Sequence, residues 1–145
     1  MIQRLLNLLI ELLSVQLTRV TGRSMEPTIS EKSWVLENKA GQRKNHPRRF
    51  DVVRIEDPEQ AGHWTIKRVV GLPGEEVELT NGNLTVNGNL ISEPHAYCPD
   101  DDKSYSWWLR DDEYVVLGDN RAYSTDSRKF GVIRRSAIRS RVRVK

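Results

Sequence analysis

Hydrophobic positions change rhythm twice along this chain. From Leu5 to Leu17 they are nearly continuous, and the polar residues Asn7, Glu11, Ser14 and Thr18 recur at spacings of four, three and four. That recurrence gathers the polar groups on one stripe of a helix and leaves a broad apolar face. Thirteen residues rising about 1.5 Å each reach about 20 Å, short of the roughly 30 Å of a hydrocarbon core. The pattern therefore predicts a short amphipathic helix within residues 1–19, lying in a membrane interface rather than crossing it. Packing on a partner or on its own domain, or membership of the core, are the alternatives. The segment also lacks the charged start, apolar middle and small-residue exit of a cleaved signal peptide.

From Ser33 onward the rhythm shortens toward two. Ser33–Glu37, Phe50–Ile55 and Trp64–Val70 are β-rich runs, read as strands. Leu72-Pro73-Gly74-Glu75 is a tight turn, proline setting one φ and glycine accepting a positive one. Val77–Leu79, Leu84–Val86 and Leu90-Ile91 are separated by Asn81-Gly82 and Asn87-Gly88. Asn-Gly between apolar alternations marks hairpins, so a three-stranded meander is predicted. Ser92–Glu113 reads as a long polar excursion in which Trp107 and Trp108 cap the core or meet lipid. Tyr114–Leu117 is a buried-type strand, and Ile138–Lys145 alternates apolar with basic residues as a sheet edge would. The prediction is a mainly β domain over residues 20–145 behind the N-terminal helix.

Composition narrows the function classes. At 145 residues the chain suits one domain with a real core, and 37% hydrophobic with 30% charged residues suits a soluble or peripheral protein. A net charge of +3 demands no nucleic-acid partner. The basic clusters Arg43-Lys44, Arg48-Arg49 and Arg134–Lys145 read as solvated loops and edges. The single cysteine, Cys98, excludes an internal disulfide framework. His46, His63 and His95 lack metal-ligand spacing, so neither a metal nor another cofactor is expected.

Three segments carry candidate chemistry. Ser24 lies in Gly22-Arg23-Ser24-Met25-Glu26-Pro27-Thr28, Lys67 in Thr65-Ile66-Lys67-Arg68-Val69-Val70-Gly71-Leu72-Pro73-Gly74-Glu75, and a polar block runs from Gly118 to Gly131. A serine is a poor nucleophile without a base within hydrogen-bond reach. A lysine serves as that base only when neutral, and burial among apolar groups lowers its pKa by penalising the charged form. Ile66, Val69 and Val70 give Lys67 such surroundings, and strand alternation sends Arg68 to the other face. Each segment alone has a plainer reading: a capping serine, a surface lysine, an Asx-held turn. Their occurrence together, in this order, points to a hydrolytic site without histidine.

Those same motifs, with Phe50-Asp51-Val52-Val53, make the chain from about Val20 onward resemble the type I signal peptidases, serine–lysine enzymes that remove secretory signal peptides. The resemblance implies twisted antiparallel β-sheets forming a partial barrel, Ser24 as nucleophile, Lys67 as general base and Ser124 as the hydroxyl that orients the lysine. It implies that Asp126 and Arg128 form a loop-stiffening pair that Arg68 joins, and that Met25, Ile29 and Ile66 line a pocket for a small side chain. It also implies signal-peptide-bearing precursors as partners, a substrate bound as an added strand, and a membrane-associated catalytic domain on the extracytoplasmic side. Two positions depart from the family pattern: Gly22, where some members carry a hydroxyl donor, and Phe50, where glycine is usual. The shortened N-terminal helix departs from the usual spanning anchor. Rival readings are a maturation peptidase of the same family that cuts one partner's leader, and a non-catalytic peptide-binding relative. A third, the self-cleaving domain of SOS-type repressors, would need a DNA-binding domain for which the 23 residues before Ser24 leave no room.

Overall fold

Eleven strands form two antiparallel sheets in the computed structural model, which describes residues 1–39, 45–98 and 102–144. The Arg43-Lys44 pair and the Pro99–Asp101 run lie outside the described residues. The seven-stranded sheet has the order β1 (Val15–Arg19), β2 (Trp34–Asn38), β11 (Ile138–Arg143), β3 (Val52–Glu56), β4 (Trp64–Gly71), β9 (Glu113–Leu117) and β10 (Ile133–Arg134). The four-stranded sheet has the order β7 (Asn89–Ile91), β6 (Asn83–Val86), β5 (Glu76–Thr80) and β8 (Ser104–Trp108). This is the mainly β architecture the alternation predicts. Both Asn-Gly pairs turn the β5–β6–β7 meander, Asn81, Gly82, Asn87 and Gly88 all taking the positive φ such turns require.

Two elements differ from the sequence reading. Helix α1 covers Ile2–Leu13 and stops there. Val15–Arg19 is a strand paired with β2, Leu17 opposite Leu36 and Thr18 opposite Val35. The polar stripe that extends to Thr18 therefore belongs to a helix only as far as Leu13. Within the 92–113 excursion, Ser104–Trp108 pairs with β5 along its whole length. A strand partner more than twenty residues upstream supplies the order that local composition does not announce. The tryptophans divide the roles considered for them. Trp107 packs on the core beside a stacked Tyr105, while Trp108 is 74% exposed.

Strand β4 is buried on both faces from Lys67 onward and carries the core around the site. Val70 joins Val77, Leu79, Leu84, Val115 and Leu117 between the sheets, and Val69 joins Val53, Ile55, Tyr114 and Val116 on the other side. A third cluster, Val20, Met25, Ile29, Val35, Val52 and Val142, sits beneath the Ser24 turn. A strand buried on two faces has few ways to shift, so side chains borne on β4 have well-determined positions.

Candidate active site

The Ser24 turn and β4 come from opposite sides and meet at two side chains. Lys67 is 2% exposed, and its Nζ lies 3.2 Å from Ser24 Oγ. The same nitrogen donates to Thr65 Oγ1 at 2.7 Å and to the Ile66 carbonyl at 3.2 Å. Burial pushes the Lys67 pKa down to about 8, against the smaller opposing charges of Asp126 and Asp57. With its pKa lowered that far, the amine loses its proton at mildly alkaline pH, and a neutral amine beside a serine hydroxyl can accept that hydroxyl's proton, which is the chemical requirement for activating a serine.

The Gly118–Gly131 block holds the serine from behind. Asn120 N–H donates to the Ser24 carbonyl at 2.9 Å, fixing the backbone at the candidate nucleophile. Gly118 has no side chain because none would fit: a Cβ there would lie 2.1 Å from Ser124 Oγ and 2.6 Å from the Ser24 carbonyl oxygen. The glycine thus lets the Ser24 turn and Ser124 converge on one point. Asp126 accepts from Gly118 N–H at 2.9 Å and from Arg128 Nε at 2.9 Å. Burial alone would raise the Asp126 pKa, but the Arg128 hydrogen bonds and charge, with the Gly118 N–H, hold it below its usual value. Asp126 and Arg128 are thus ion-paired within the block, and Arg128 also donates to the Arg121 and Ser124 carbonyls.

Arg68 does not join that pair. It projects to the face opposite Lys67, as strand alternation predicts, but its guanidinium meets Asp119, with Nε–Oδ1 2.8 Å and Nη2–Oδ2 2.6 Å. Its third donor reaches the Phe50 carbonyl at 2.9 Å. Asp119 also accepts from Thr28 Oγ1. One buried carboxylate thereby joins the Ser24 segment, β4 and the Gly118 block. Asp119, Thr28 and Thr65 are positions whose roles the sequence motifs alone do not mark. The available signal was the period of two, which sets Thr65 on the Lys67 face.

Ser124 is brought to the site but not to the lysine. Its Oγ is buried and is not among the three hydrogen-bond partners of Lys67 Nζ; the Ser124 hydroxyl instead acts on the Asp126 carboxylate, helping to lower its pKa. The three expected pocket residues cluster beside the serine: Met25 and Ile29 are buried in the core and Ile66 packs half-buried against it. On the solvent side Arg23 pairs with Glu26 and lies over the Tyr123 ring at 4.9 Å.

A buried amine poised against a serine hydroxyl on an antiparallel β-scaffold has the parts of a serine hydrolase that works without histidine. The comparisons give the class a family. The family model for signal peptidases, peptidase S26, matches residues 1–145. Signal peptidase I V of Bacillus subtilis is 37% identical over 134 residues, covering 83% of this chain and 79% of that protein. A signal peptidase I of Leptolyngbya laminosa is 33% identical over 136 residues, covering 87% of this chain and 66% of its own. The crystal structure of a signal peptidase I from Enterococcus faecalis aligns with a TM-score of 0.59 at 28% identity, covering 67% of this chain and 97% of that one. The chain belongs to the signal peptidase family, a family of serine endopeptidases.

Proposed function

We propose that this chain removes signal peptides from secretory precursors by acyl transfer, with Ser24 as nucleophile and Lys67 as general base. The observation that carries the reading is the 3.2 Å contact between Lys67 Nζ and Ser24 Oγ at a buried amine. As Ser24 Oγ attacks the scissile carbonyl, Lys67 takes its proton and then delivers it to the leaving amine. Water, deprotonated by the same lysine, releases the acyl-enzyme. The Ser24 backbone N–H is assigned to the oxyanion. Met25, Ile29 and Ile66 bound the pocket for a small residue before the cleaved bond, and Asp126 and Arg128 keep the supporting loop stiff. The membrane interface is the proposed workplace, with the catalytic domain on the extracytoplasmic side, where such precursors emerge.

The test is cleavage of a precursor whose signal peptide ends in Ala-X-Ala, with wild type, Ser24→Ala and Lys67→Ala in parallel across pH. Wild type alone should cut. Its activity should rise with pH along an acid limb centred near the Lys67 pKa of about 8, because the base acts only after losing its proton. Cleavage by either variant at the wild-type rate refutes the assignment. An intact precursor with Ser24 still labelled by a serine-directed inhibitor would favour the narrower maturation peptidase.

A further inference from the structure

We propose that Thr65 is a positioning residue for Lys67, its hydroxyl taking one N–H of the amine so that the nitrogen's lone pair faces Ser24. The inference rests on the reaction proposed above.

A neutral primary amine has two N–H donors and one lone pair. Lys67 Nζ has three partners: Thr65 Oγ1 at 2.7 Å, the Ile66 carbonyl at 3.2 Å and Ser24 Oγ at 3.2 Å. The carbonyl can only accept. If Thr65 also accepts, both N–H bonds are used and the lone pair is left for the Ser24 O–H. That is the arrangement a general base needs before proton transfer. Without the threonine hydroxyl, one N–H could turn to Ser24, and the lone pair would point elsewhere.

The position of Thr65 suits the task. It stands two residues before Lys67 on β4, so both side chains leave the same face of the strand. Its β-branched side chain has little χ1 freedom, and its backbone is paired opposite the fully buried Ile55. The hydroxyl is thus held by the sheet rather than by a loop. It is also the shortest of the three contacts. Ser124, for which the family resemblance implies this task, has its Oγ beside Gly118, facing the Asp126 carboxylate rather than bonding Lys67 Nζ.

The charged groups acting on Lys67 are Asp126 and Asp57, and a change at Thr65 leaves both in place. The test compares wild type, Thr65→Val and Thr65→Ser in kcat, KM and pH profile, with Ser24→Ala and Lys67→Ala as references. Valine keeps the shape and loses the hydroxyl. It should lower kcat on the order of ten- to a hundredfold by loosening the base, with KM little changed. Its acid limb should move to lower pH, since the ammonium form has lost an acceptor. Serine should restore kcat to within about threefold, because the hydroxyl it retains is the group that orients the base. Wild-type kcat and an unmoved limb for valine would overturn the proposal, as would serine being as impaired as valine, which would assign the effect to the threonine methyl. If melting shows valine unfolded, Thr65→Ala replaces it with the same two readings. Cleavage surviving in the Ser24→Ala or Lys67→Ala references overturns the parent reaction instead, so the two failures are distinct.

Discussion

Lys67 shows how a single residue can hold stability and reactivity in opposition. A fall in pKa from 10.5 to about 8 corresponds to a burial cost of roughly 3 kcal/mol for the charged amine. Below pH 8 the lysine is protonated in both folded and unfolded chains, and the folded state bears that cost in full. Between pH 8 and 10.5 the unfolded chain binds the extra proton, so the cost fades as pH rises. Replacing the amine with an apolar side chain of similar length should therefore stabilise the fold while removing the base. Lys67→Met is expected to abolish cleavage and raise unfolding free energy by up to about 3 kcal/mol at pH 6–7, the gain shrinking toward pH 10. Urea denaturation across pH measures it, and a Met variant less stable than wild type at pH 6 would contradict the burial argument.

At the scale of elements, the site is three segments tied by one carboxylate. Asp119 binds Arg68 of β4 by two hydrogen bonds and Thr28 of the serine turn by a third, with its side chain 1% exposed. Removing one member of a buried ion pair strands the other charge, at a cost of about 3–5 kcal/mol. Asp119→Ala should destabilise the fold by about that amount, read by denaturant melts, and should lower turnover under conditions where the protein remains folded. Wild-type stability would show the clamp to be dispensable. Much of this element level was legible in sequence. The period of two on β4 predicts that Lys67 and Arg68 face apart, and Asn-Gly predicts both hairpin turns. What local pattern could not supply was distance. β1 looks helical because Val15 and Leu17 continue the apolar run of α1, and only pairing with β2 decides otherwise. β8 needs β5 to exist as a strand. Arg68 could be placed on a face, but its choice of Asp119 over Asp126 depends on the folded loop. Phe50, at the position where the family resemblance implies glycine, adopts φ 71°, the left-handed geometry glycine favours. Its edge-to-face contact with His95 at 4.8 Å and its carbonyl's bond to Arg68 hold it there.

Over the whole molecule, exposed apolar residues gather on α1 and the β1–β2 pair. Ile2, Leu5, Leu6 and Leu9 of α1 are exposed, and so are Val15, Leu17, Trp34 and Leu36 on the β1–β2 pair that follows. Leu17 and Leu36 face each other across the ladder, and Arg143 of β11 is the next partner of Leu36. A contiguous apolar patch is uncommon on a soluble monomer, and one bordered by arginine suits an anionic lipid surface. No helix among the described residues is long and apolar enough to cross a membrane; the patch is the surface that would meet the membrane interface proposed above. Burying a leucine is worth about 1.5–3 kcal/mol, so placing charge on the patch should have a large effect. The Leu17→Asp, Leu36→Asp double variant should reduce co-sedimentation with phosphatidylglycerol-containing vesicles by at least about tenfold. It should still cleave a short soluble peptide, since neither residue hydrogen-bonds Ser24 or Lys67. Salt should weaken the wild-type association in proportion to its electrostatic share. If the double variant binds vesicles as well as wild type does, the sheet edge is not the lipid-facing surface. Removal of residues 1–13 then asks whether α1 alone supplies the attachment.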